Sequence, residues 1–129
     1  MPTETERVLD TLYAAFFAGD AAGMSALLDD DVAVRFLGQV RLRGKQEAER
    51  FFAFNGGNLQ DLDFRIRRRI VDGEWAAVLW EESGTVTATG EPWENHGVDV
   101  FRVQNGRITV LHENNDCRVV RRHLPRYPG

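Results

Sequence analysis

Residues 98–108 read VDVFRVQNGRI and carry the clearest structural signal in the chain. β-Branched and aromatic residues fill the first half of this segment, which is typical of a strand. The Asn105-Gly106 dipeptide that follows favours a two-residue turn between antiparallel strands. We therefore predict a hairpin whose strands run over residues 93–103 and 107–116.

Two more strands are predicted before this hairpin. Residues 62–71 alternate between apolar and polar side chains, and the Asp72-Gly73 dipeptide after them is a strong turn signal. The partner strand is expected over residues 75–89. Together with the first hairpin, these segments predict a meander of four long antiparallel strands.

The first half of the chain is predicted to be mainly helical. Over residues 5–18 the apolar side chains recur at three- and four-residue spacing, which is the pattern of an amphipathic helix. Asp20 can cap a second, shorter helix. A third helix is expected over residues 44–54, and the NGGN tetrapeptide of residues 55–58 is expected to break it.

A short strand is expected over residues 32–37, and the tail over residues 119–129 is expected to lie along the surface. The length of 129 residues suits one domain and leaves no room for two. We therefore expect a single α+β domain over residues 1–129. Its three N-terminal helices should pack on one face of a strongly curved antiparallel sheet.

The composition narrows the choice of partners and location. The net charge of −4 argues against nucleic acid or an anionic membrane as partner, because both attract basic surfaces. The N-terminal segment is polar and acidic, unlike a signal peptide, and no apolar run has the length of a bilayer span. Cys117 is the only cysteine, which excludes an internal disulfide. A cytoplasmic protein is therefore expected.

Two segments near the N-terminus add a family resemblance. The FFAGD segment of residues 16–20 and the LLDDDV segment of residues 27–32 look like the helix–Gly-Asp–helix–strand opening of NTF2-like domains. Residues 98–108 are similar to the closing hairpin of these domains. The chain thus resembles the NTF2-like superfamily over nearly its whole length. This superfamily includes ketosteroid isomerase, limonene epoxide hydrolase and SnoaL-type polyketide cyclases.

The resemblance implies a cone-shaped fold in which the sheet curls around a pocket that the helices close. Alternate residues of each strand then face the pocket, and the family's catalytic positions give the phase. An apolar funnel with a few polar groups is typical of a small-molecule site. The expected ligand-contacting residues are Tyr13, Val34, Phe36, Trp80, Asn95, Phe101, Leu111 and Asn115. The tyrosine of ketosteroid isomerase falls on Leu12, so the Tyr13 hydroxyl would need a different helix rotation to enter the pocket.

Three acidic residues are the candidate catalytic groups. By resemblance, Glu113 matches the catalytic aspartate of SnoaL-type cyclases and of limonene epoxide hydrolase. Asp99 matches the ketosteroid isomerase aspartate that stays protonated and donates a hydrogen bond. Glu82 matches the second acid of limonene epoxide hydrolase, whose arginine is replaced here by Trp80. The base position of ketosteroid isomerase is Phe36 here, so neither enzyme is reproduced in full.

Carboxyl groups that share a low-dielectric pocket cannot all ionise, so some hold a proton at neutral pH. One ionised and one protonated carboxyl can act as base and acid. The expected function is therefore a cofactor-independent acid–base enzyme of the isomerase, cyclase, dehydratase or hydrolase type, acting on a small, largely apolar oxygenated molecule. The alternative is a non-catalytic domain that binds a small molecule or forms a dimer. The resemblance also implies a homodimer.

One alternative for the last strand stays open. If this strand is shifted by one residue, His112, Asn114 and Asp116 face the pocket, and His112 pairs with Asp99 as acid and base. No metal is expected, because alternation sends sequence neighbours on a strand to opposite faces. No HxxxH or CxxC spacing occurs in the chain either.

Overall fold

The computed structural model describes residues 1–36 and 40–124, except for the side chains of residues 54 and 55. The end of the predicted early strand, Leu37, and the tail over residues 125–129 lie outside the described residues. The helices are α1 (Glu4–Ala18), α2 (Ala21–Ala26), α3 (Lys45–Asn58) and α4 (Cys117–His123). The strands are β1 (Leu28–Phe36), β2 (Val40–Arg43), β3 (Leu59–Asp72), β4 (Trp75–Val86), β5 (Pro92–Gln104) and β6 (Arg107–Asn115). No helix in these ranges combines the length and the apolar character that a bilayer span requires.

One six-stranded sheet with the order β2-β1-β6-β5-β4-β3 forms the centre of the described fold. β3 to β6 pair as an antiparallel meander, as predicted, whereas β1 joins β6 in parallel. The sheet is curved and unclosed. Register shifts along β3 and between β5 and β6 mark bulges, which bend and twist strands locally. The expected α+β fold with helices packed on a curved sheet is confirmed.

Both predicted hairpin turns are present. Asn105 and Gly106 adopt positive φ angles of 53° and 74°, as the two central residues of a type I′ turn must. Gly73 has a φ angle of 58° in the turn between β3 and β4. The Asn105-Gly106 turn joins β5 to β6. Together with the bulge between these two strands, it sets which of their residues lie opposite each other.

α1 packs on the concave side of the sheet and supplies much of the core. Thr3 caps this helix, since its side chain accepts a hydrogen bond from the backbone N–H of Glu6, and the helix ends at Gly19 with a left-handed φ angle of 68°. Leu9 on its buried face packs in one core cluster with Phe101 of β5. Burying one leucine side chain contributes about 1.5–3 kcal/mol. The helix is therefore held on the sheet by its apolar face.

The predicted break in the third helix is wrong. α3 continues through Gly56 and Gly57 and ends at Asn58, where Leu59 adopts extended angles and begins β3. Neither glycine has a positive φ angle. A glycine inside a helix costs only about 0.5–1 kcal/mol relative to alanine, so the helix tolerates both. The NGGN segment therefore forms a weak last turn instead of a loop.

The prediction that the tail lies along the surface is wrong for its first part. Residues 117–123 form α4, which begins after Asp116, whose side chain accepts a hydrogen bond from the backbone N–H of Arg118. Val120 is buried in a small second cluster with Val86 and Trp93. The sequence does not clearly predict this contact, because the seven-residue helix has only one buried apolar residue and therefore no periodic pattern.

The strands differ from the prediction in several places, one of them the end of β4, which lies at Val86 and not at residue 89. β1 begins at Leu28 and includes the acidic residues 29–31. The prediction rested on the β-rich residues that follow, and it therefore missed the first part of the strand. The sequence does not predict β2, whose four residues pair with β1 at the edge of the sheet. Four residues are too few to give a clear alternation.

Gly97 on β5 allows a close approach between the strands. A Cβ atom at this position would collide with the carbonyl oxygen of Asn114, and it would lie 2.7 Å from Cζ2 of Trp80 and 3.0 Å from Cα of Asn115. Two of these contacts are with backbone atoms, which cannot move away unless β6 shifts. The position therefore has no room for a side chain.

We expect Gly97→Ala to lower the free energy of unfolding by about 1–3 kcal/mol, the usual effect of overpacking an interior. Equilibrium urea unfolding measures the change. Gly57→Ala is the matched control, because nothing lies within 4 Å of a Cβ atom added there. This control should stabilise the protein by about 0.5–1 kcal/mol. If Gly97→Ala were as stable as the wild type, the close approach would be refuted.

Candidate active site

A cavity of about 1150 Å³ lies between the concave face of the sheet and the helices. Cavities that hold drug-sized molecules usually measure about 300–1000 Å³, so this one has room for a multi-ring ligand. Most of the residues that line it are apolar. Its aromatic residues are Tyr13, Phe16, Phe17, Phe36, Phe52, Phe64, Trp80, Trp93 and Phe101.

Two of the three candidate acids form a pair in this cavity. Asp99 on β5 lies directly opposite Glu113 on β6, and both side chains line the cavity. Directly opposed residues on one face of an antiparallel pair have Cβ atoms about 4.5–5.5 Å apart. The next residues along the same row are Phe36 beside Glu113 and Val78 beside Asp99. The two carboxyls are therefore close to each other and flanked by apolar side chains.

Asp99 is buried and accepts a hydrogen bond from one side chain, and a second polar group acts on its charge. The Tyr13 hydroxyl donates to Oδ2 of Asp99 over 3.4 Å. The Trp80 indole also favours the ionised carboxylate, although its Nε1 makes no hydrogen bond of ordinary geometry. Burial raises the pKa of Asp99 from 3.8 to about 7, against the lowering effect of these two donors. Asp99 therefore titrates near neutral pH.

Glu113 is also shifted toward its protonated form. The part of its side chain that remains accessible faces the cavity, so the carboxyl lies inside the protein. Burial raises the pKa of Glu113 well above its ordinary value, and the negative charges of Asp99 and Glu82 raise it further. Two adjacent carboxyls in such surroundings hold one proton between them at neutral pH.

Tyr13 enters the cavity in spite of its predicted register. Both Leu12 and Tyr13 line the cavity, so the one-residue offset does not keep the hydroxyl out. The ring packs edge-on against Phe101 and stacked against Phe64, with centroid distances of 6.3 and 6.1 Å. Burial, followed by the charges of Asp99 and Glu113, raises the pKa of Tyr13. The hydroxyl therefore keeps its proton and acts as a donor.

Glu82 lines the same cavity but lies apart from the pair. It faces Asn95 and Phe64 on the neighbouring strands, and its Oε1 accepts a hydrogen bond from Nε1 of Trp93 over 3.3 Å. Burial raises the pKa of Glu82, and the hydrogen bond from Trp93 partly offsets this effect. Within residues 1–36 and 40–124, no three His, Cys, Asp or Glu side chains lie close enough to hold a metal ion together. Glu82 thus lies opposite neither member of the pair, although, besides burial, its charge raises the pKa of both Asp99 and Glu113.

Trp80 lies across Gly97, beside the acidic pair. Its ring stacks on Phe64 with a centroid distance of 5.3 Å and an interplanar angle of 29°. Asn115 flanks Gly97 on the other side, in the register of β6. Nε1 of Trp80 and Oδ1 of Asn115 are buried and lack a hydrogen-bond partner. The cavity wall therefore carries an unpaired donor and an unpaired acceptor next to the acids.

Two of the predicted ligand-contacting residues lie outside the cavity wall. Val34 is buried in the main core, where it lies opposite Leu111. Asn95 is turned to a structural role, because its Oδ1 accepts hydrogen bonds from the backbone N–H groups of His96, at 2.8 Å, and Asp116, at 3.2 Å. It thereby links β5 to the residue that caps α4. The other predicted contact residues line the cavity, namely Tyr13, Phe36, Trp80, Phe101, Leu111 and Asn115.

The alternative phase of the last strand is not adopted. Glu113 and Asn115 line the cavity, whereas His112 lies opposite Val100 and is absent from the cavity wall. The pair of His112 and Asp99 is therefore not formed, since neighbours along a strand point to opposite faces.

The sequence analysis did not predict several residues that line the cavity. Val120 and Leu124 from the C-terminal segment line the cavity, as does Phe64 on the edge strand. The alternation of residues 62–71 could have indicated Phe64, but the bulge in β3 between residues 66 and 68 makes the facing of this strand hard to follow. The positions of Val120 and Leu124 in the wall could not be predicted without knowing where α4 packs.

The sequence model of the SnoaL-like domain family matches residues 9–111. No match was found among curated proteins. An NTF2-like protein of unknown function from Burkholderia pseudomallei has a TM-score of 0.85 and 22% identity, over 95% of this chain and 98% of that one. An LEH-like epoxide hydrolase from M. tuberculosis has a TM-score of 0.75 and 22% identity, over 96% and 91%. TerC, co-crystallised with polyporic acid, has a TM-score of 0.81 and 17% identity, over 95% and 99%.

At these identities the structural likeness shows the fold alone. The family match is broader evidence, since it spans well over half of the 129 residues. It also agrees with the cone of curved sheet and helices around one cavity. The protein therefore belongs to the SnoaL-like domain family of the NTF2-like superfamily.

Proposed function

We propose that this protein is a cofactor-independent acid–base catalyst that moves a proton next to a carbonyl group of a largely apolar ligand. The observation that carries this proposal is the pair of Asp99 and Glu113, directly opposite each other on the wall of the cavity. Such a pair offers a base and an acid in one place at neutral pH. The apolar wall around it suits a ligand with few polar groups.

Asp99 is the better base of the pair. The Tyr13 hydroxyl donates to it, and the Trp80 indole also lowers the pKa of Asp99, so two donors favour the carboxylate. For Glu113 every cause of its pKa shift acts in the other direction. The shared proton therefore resides mainly on Glu113, which is the acid.

In the proposed step, Asp99 takes a proton from the carbon next to the ligand carbonyl while Glu113 gives its proton to the carbonyl oxygen. One C–H bond breaks and one O–H bond forms, so the ligand becomes a neutral enol. Asp99 then returns its proton to a different carbon while Glu113 takes back the proton of the enol oxygen, which restores the carbonyl and completes an isomerisation. Attack of the enol carbon on a second carbonyl of the same molecule completes a cyclisation. The same acid and base could serve a dehydration or the addition of water.

Two known proteins of this fold support a cavity that takes a small molecule. The M. tuberculosis protein is an LEH-like epoxide hydrolase, and TerC was co-crystallised with polyporic acid. A non-catalytic binding domain is the second candidate. It is favoured by Phe36 and Trp80, which stand where ketosteroid isomerase and limonene epoxide hydrolase carry their base and their arginine.

We expect the protein to accelerate exchange of the α-protons of β-tetralone, a bicyclic ketone, in deuterated water. Proton NMR follows the exchange, after binding of the ketone has been shown by the quenching of tryptophan fluorescence. Asp99→Asn removes the base and Glu113→Gln removes the acid. Each should slow the catalysed exchange by about a hundredfold or more, the usual share of general acid–base catalysis.

Glu94→Gln is the matched control for this experiment, because Glu94 lies on β5 with its side chain exposed and outside the cavity wall. It should exchange at the wild-type rate. If β-tetralone binds but its exchange is no faster than in buffer, catalysis is ruled out for this ketone and the binding domain is favoured. Equal rates for the wild type and both active-site variants would contradict the role of the pair.

We also expect the stability of the protein to fall as the pH rises from about 4 to about 7. In this range the folded state holds more protons than the unfolded state, because the pKa of Asp99 is raised from 3.8 to about 7. One pKa unit corresponds to about 1.4 kcal/mol, so the loss is on the order of 4 kcal/mol. Asp99→Asn should reduce this slope and leave the part that Glu113 contributes, because burial raises the pKa of Glu113 as well. Urea unfolding across the range measures the slope of each protein. Glu94→Gln should keep the slope, and an unchanged slope in Asp99→Asn would show that Asp99 is not buried as described.

A homodimer is a further part of the proposal. On the outer face, Leu79 lies opposite Val98 and Ala77 opposite Val100, which gives a half-buried apolar patch across β4 and β5. We expect light scattering to give twice the monomer mass, and Val100→Arg to give the monomer mass. A monomeric wild type at high concentration would refute the dimer.

A further inference from the structure

The charged side chains of the described cavity wall are unevenly balanced. One is basic, Lys45 on α3, and five are acidic. The acidic ones are Glu49, Asp61, Glu82, Asp99 and Glu113. A wall with this balance repels an anionic ligand and attracts a cation. The charge pattern therefore limits which ligands the cavity can accept.

Glu82 is the carboxyl best placed to meet a cation. Phe64 lies opposite it on β3, Trp80 precedes it by two residues on the same face of β4, and Trp93 donates to its Oε1. All four side chains line the cavity. Aromatic rings around a carboxylate lower the local dielectric and add cation–π attraction, so a cation gains more here than at the surface.

Two acceptor atoms near this position remain unpaired in the described chain. Oε2 of Glu82 receives no hydrogen bond from the described residues, since the bond from Trp93 goes to Oε1. Oδ1 of Asn115 is buried and has no partner either. The buried Oδ1 atom of Asn115 is costly without a donor, whereas Glu82 is only partly buried and lines the cavity, where a ligand can reach it. An ammonium group supplies up to three donors together with a positive charge.

We propose that Glu82, within the rings of Phe64, Trp80 and Trp93, is the subsite for a cationic nitrogen of an otherwise apolar ligand. The ligand class is an aromatic or multi-ring amine, whose rings fill the apolar part of the cavity. The proposal rests on the proposed function only in placing the ligand in the same cavity. It gives Glu82 a binding role that is separate from the proton transfer of Asp99 and Glu113.

A neutral alcohol is the competing ligand class. A hydroxyl group could donate to one of the two acceptors, but it brings a single donor and no charge. A hydrogen bond between a charged donor and a carboxylate is about twice as strong as a neutral one. An amine should therefore bind more tightly than an alcohol of the same shape, and a carboxylate should bind least.

The test compares naphthylmethylamine, naphthylmethanol and naphthoate as probes, by calorimetric titration of the whole protein. We expect the amine to bind about ten- to a hundredfold more tightly than the alcohol, which corresponds to one charge-assisted hydrogen bond. Naphthoate should bind more weakly than the alcohol. In Glu82→Gln the preference for the amine should disappear, while binding of the alcohol should change less than about twofold.

Glu81→Gln is the matched control, because Glu81 is the next residue of β4 and pairs with Arg67 on the outer side. It should keep the amine preference of the wild type. Glu82→Leu serves as a second variant, and thermal unfolding confirms that each variant folds. The proposal is overturned if the alcohol or naphthoate binds as tightly as the amine, if no probe binds, or if Glu82→Gln keeps the preference.

The outcome is separable from that of the proposed acid–base function. The amine preference depends on the charge of Glu82, whereas α-proton exchange depends on Asp99 and Glu113. Glu113→Gln should therefore lose exchange and keep a clear preference for the amine. Loss of the preference in Glu113→Gln, with Glu82→Gln unaffected, would assign the cation to the acidic pair and overturn the subsite.

Discussion

The register between β5 and β6 is the constraint on which the interior depends. It places Phe101 opposite Leu111 and, two residues further along, Asp99 opposite Glu113. Since side chains alternate along a strand, a slip of one residue would turn these groups to the outer face and leave the cavity without the acidic pair. The type I′ turn and the adjoining bulge set this register. The apolar face of α1 then selects the arrangement in which Phe101 is buried.

The acidic pair lies in an otherwise largely apolar interior, where burying carboxyl groups costs free energy. Each carboxyl loses hydration, and the two repel each other when both are ionised. The surrounding side chains stabilise the two carboxylates to different degrees. Tyr13 and Trp80 favour the ionised form of Asp99, whereas the neighbour of Glu113 on β1 is the apolar Phe36. This asymmetry separates the two groups chemically. A symmetric pair would offer no preferred base.

The sequence predicts the fold and much of the cavity, for reasons that differ from element to element. The turn dipeptides and the alternation of β5 and β6 are local signals, and they place Asp99, Glu113 and Asn115 on the inner face as the structure has them. The family resemblance supplies the phase. Contacts between distant segments were not predictable in the same way. The sequence does not reveal that Asn95 turns to the backbone of Asp116.

Other failures come from competition between local signals and packing. The glycines of α3 suggested a loop, but the helix continues because nothing requires a left-handed angle there. The resemblance aligns Leu12, and not Tyr13 one residue later, with the tyrosine of ketosteroid isomerase, although Tyr13 is among the expected ligand-contacting residues. A helix rotation of this size moves a side chain to a neighbouring part of the same buried stripe, so both Leu12 and Tyr13 reach the interior. The sequence also did not predict that Glu82 lies away from Asp99 and Glu113 along the sheet. This position follows from the pairing of β4 with β5.

The family match ends at Leu111, before Glu113, Asn115 and α4. The matched part of the chain builds most of the cone, while the residues after it supply one acid, one amide and the apolar residues of α4 that complete the wall. Substitutions of side chains that face the cavity leave the pairing of β6 with β1 and β5 in place. Ligand choice in such a protein can diverge by changes at one end of the gene, with the scaffold left intact.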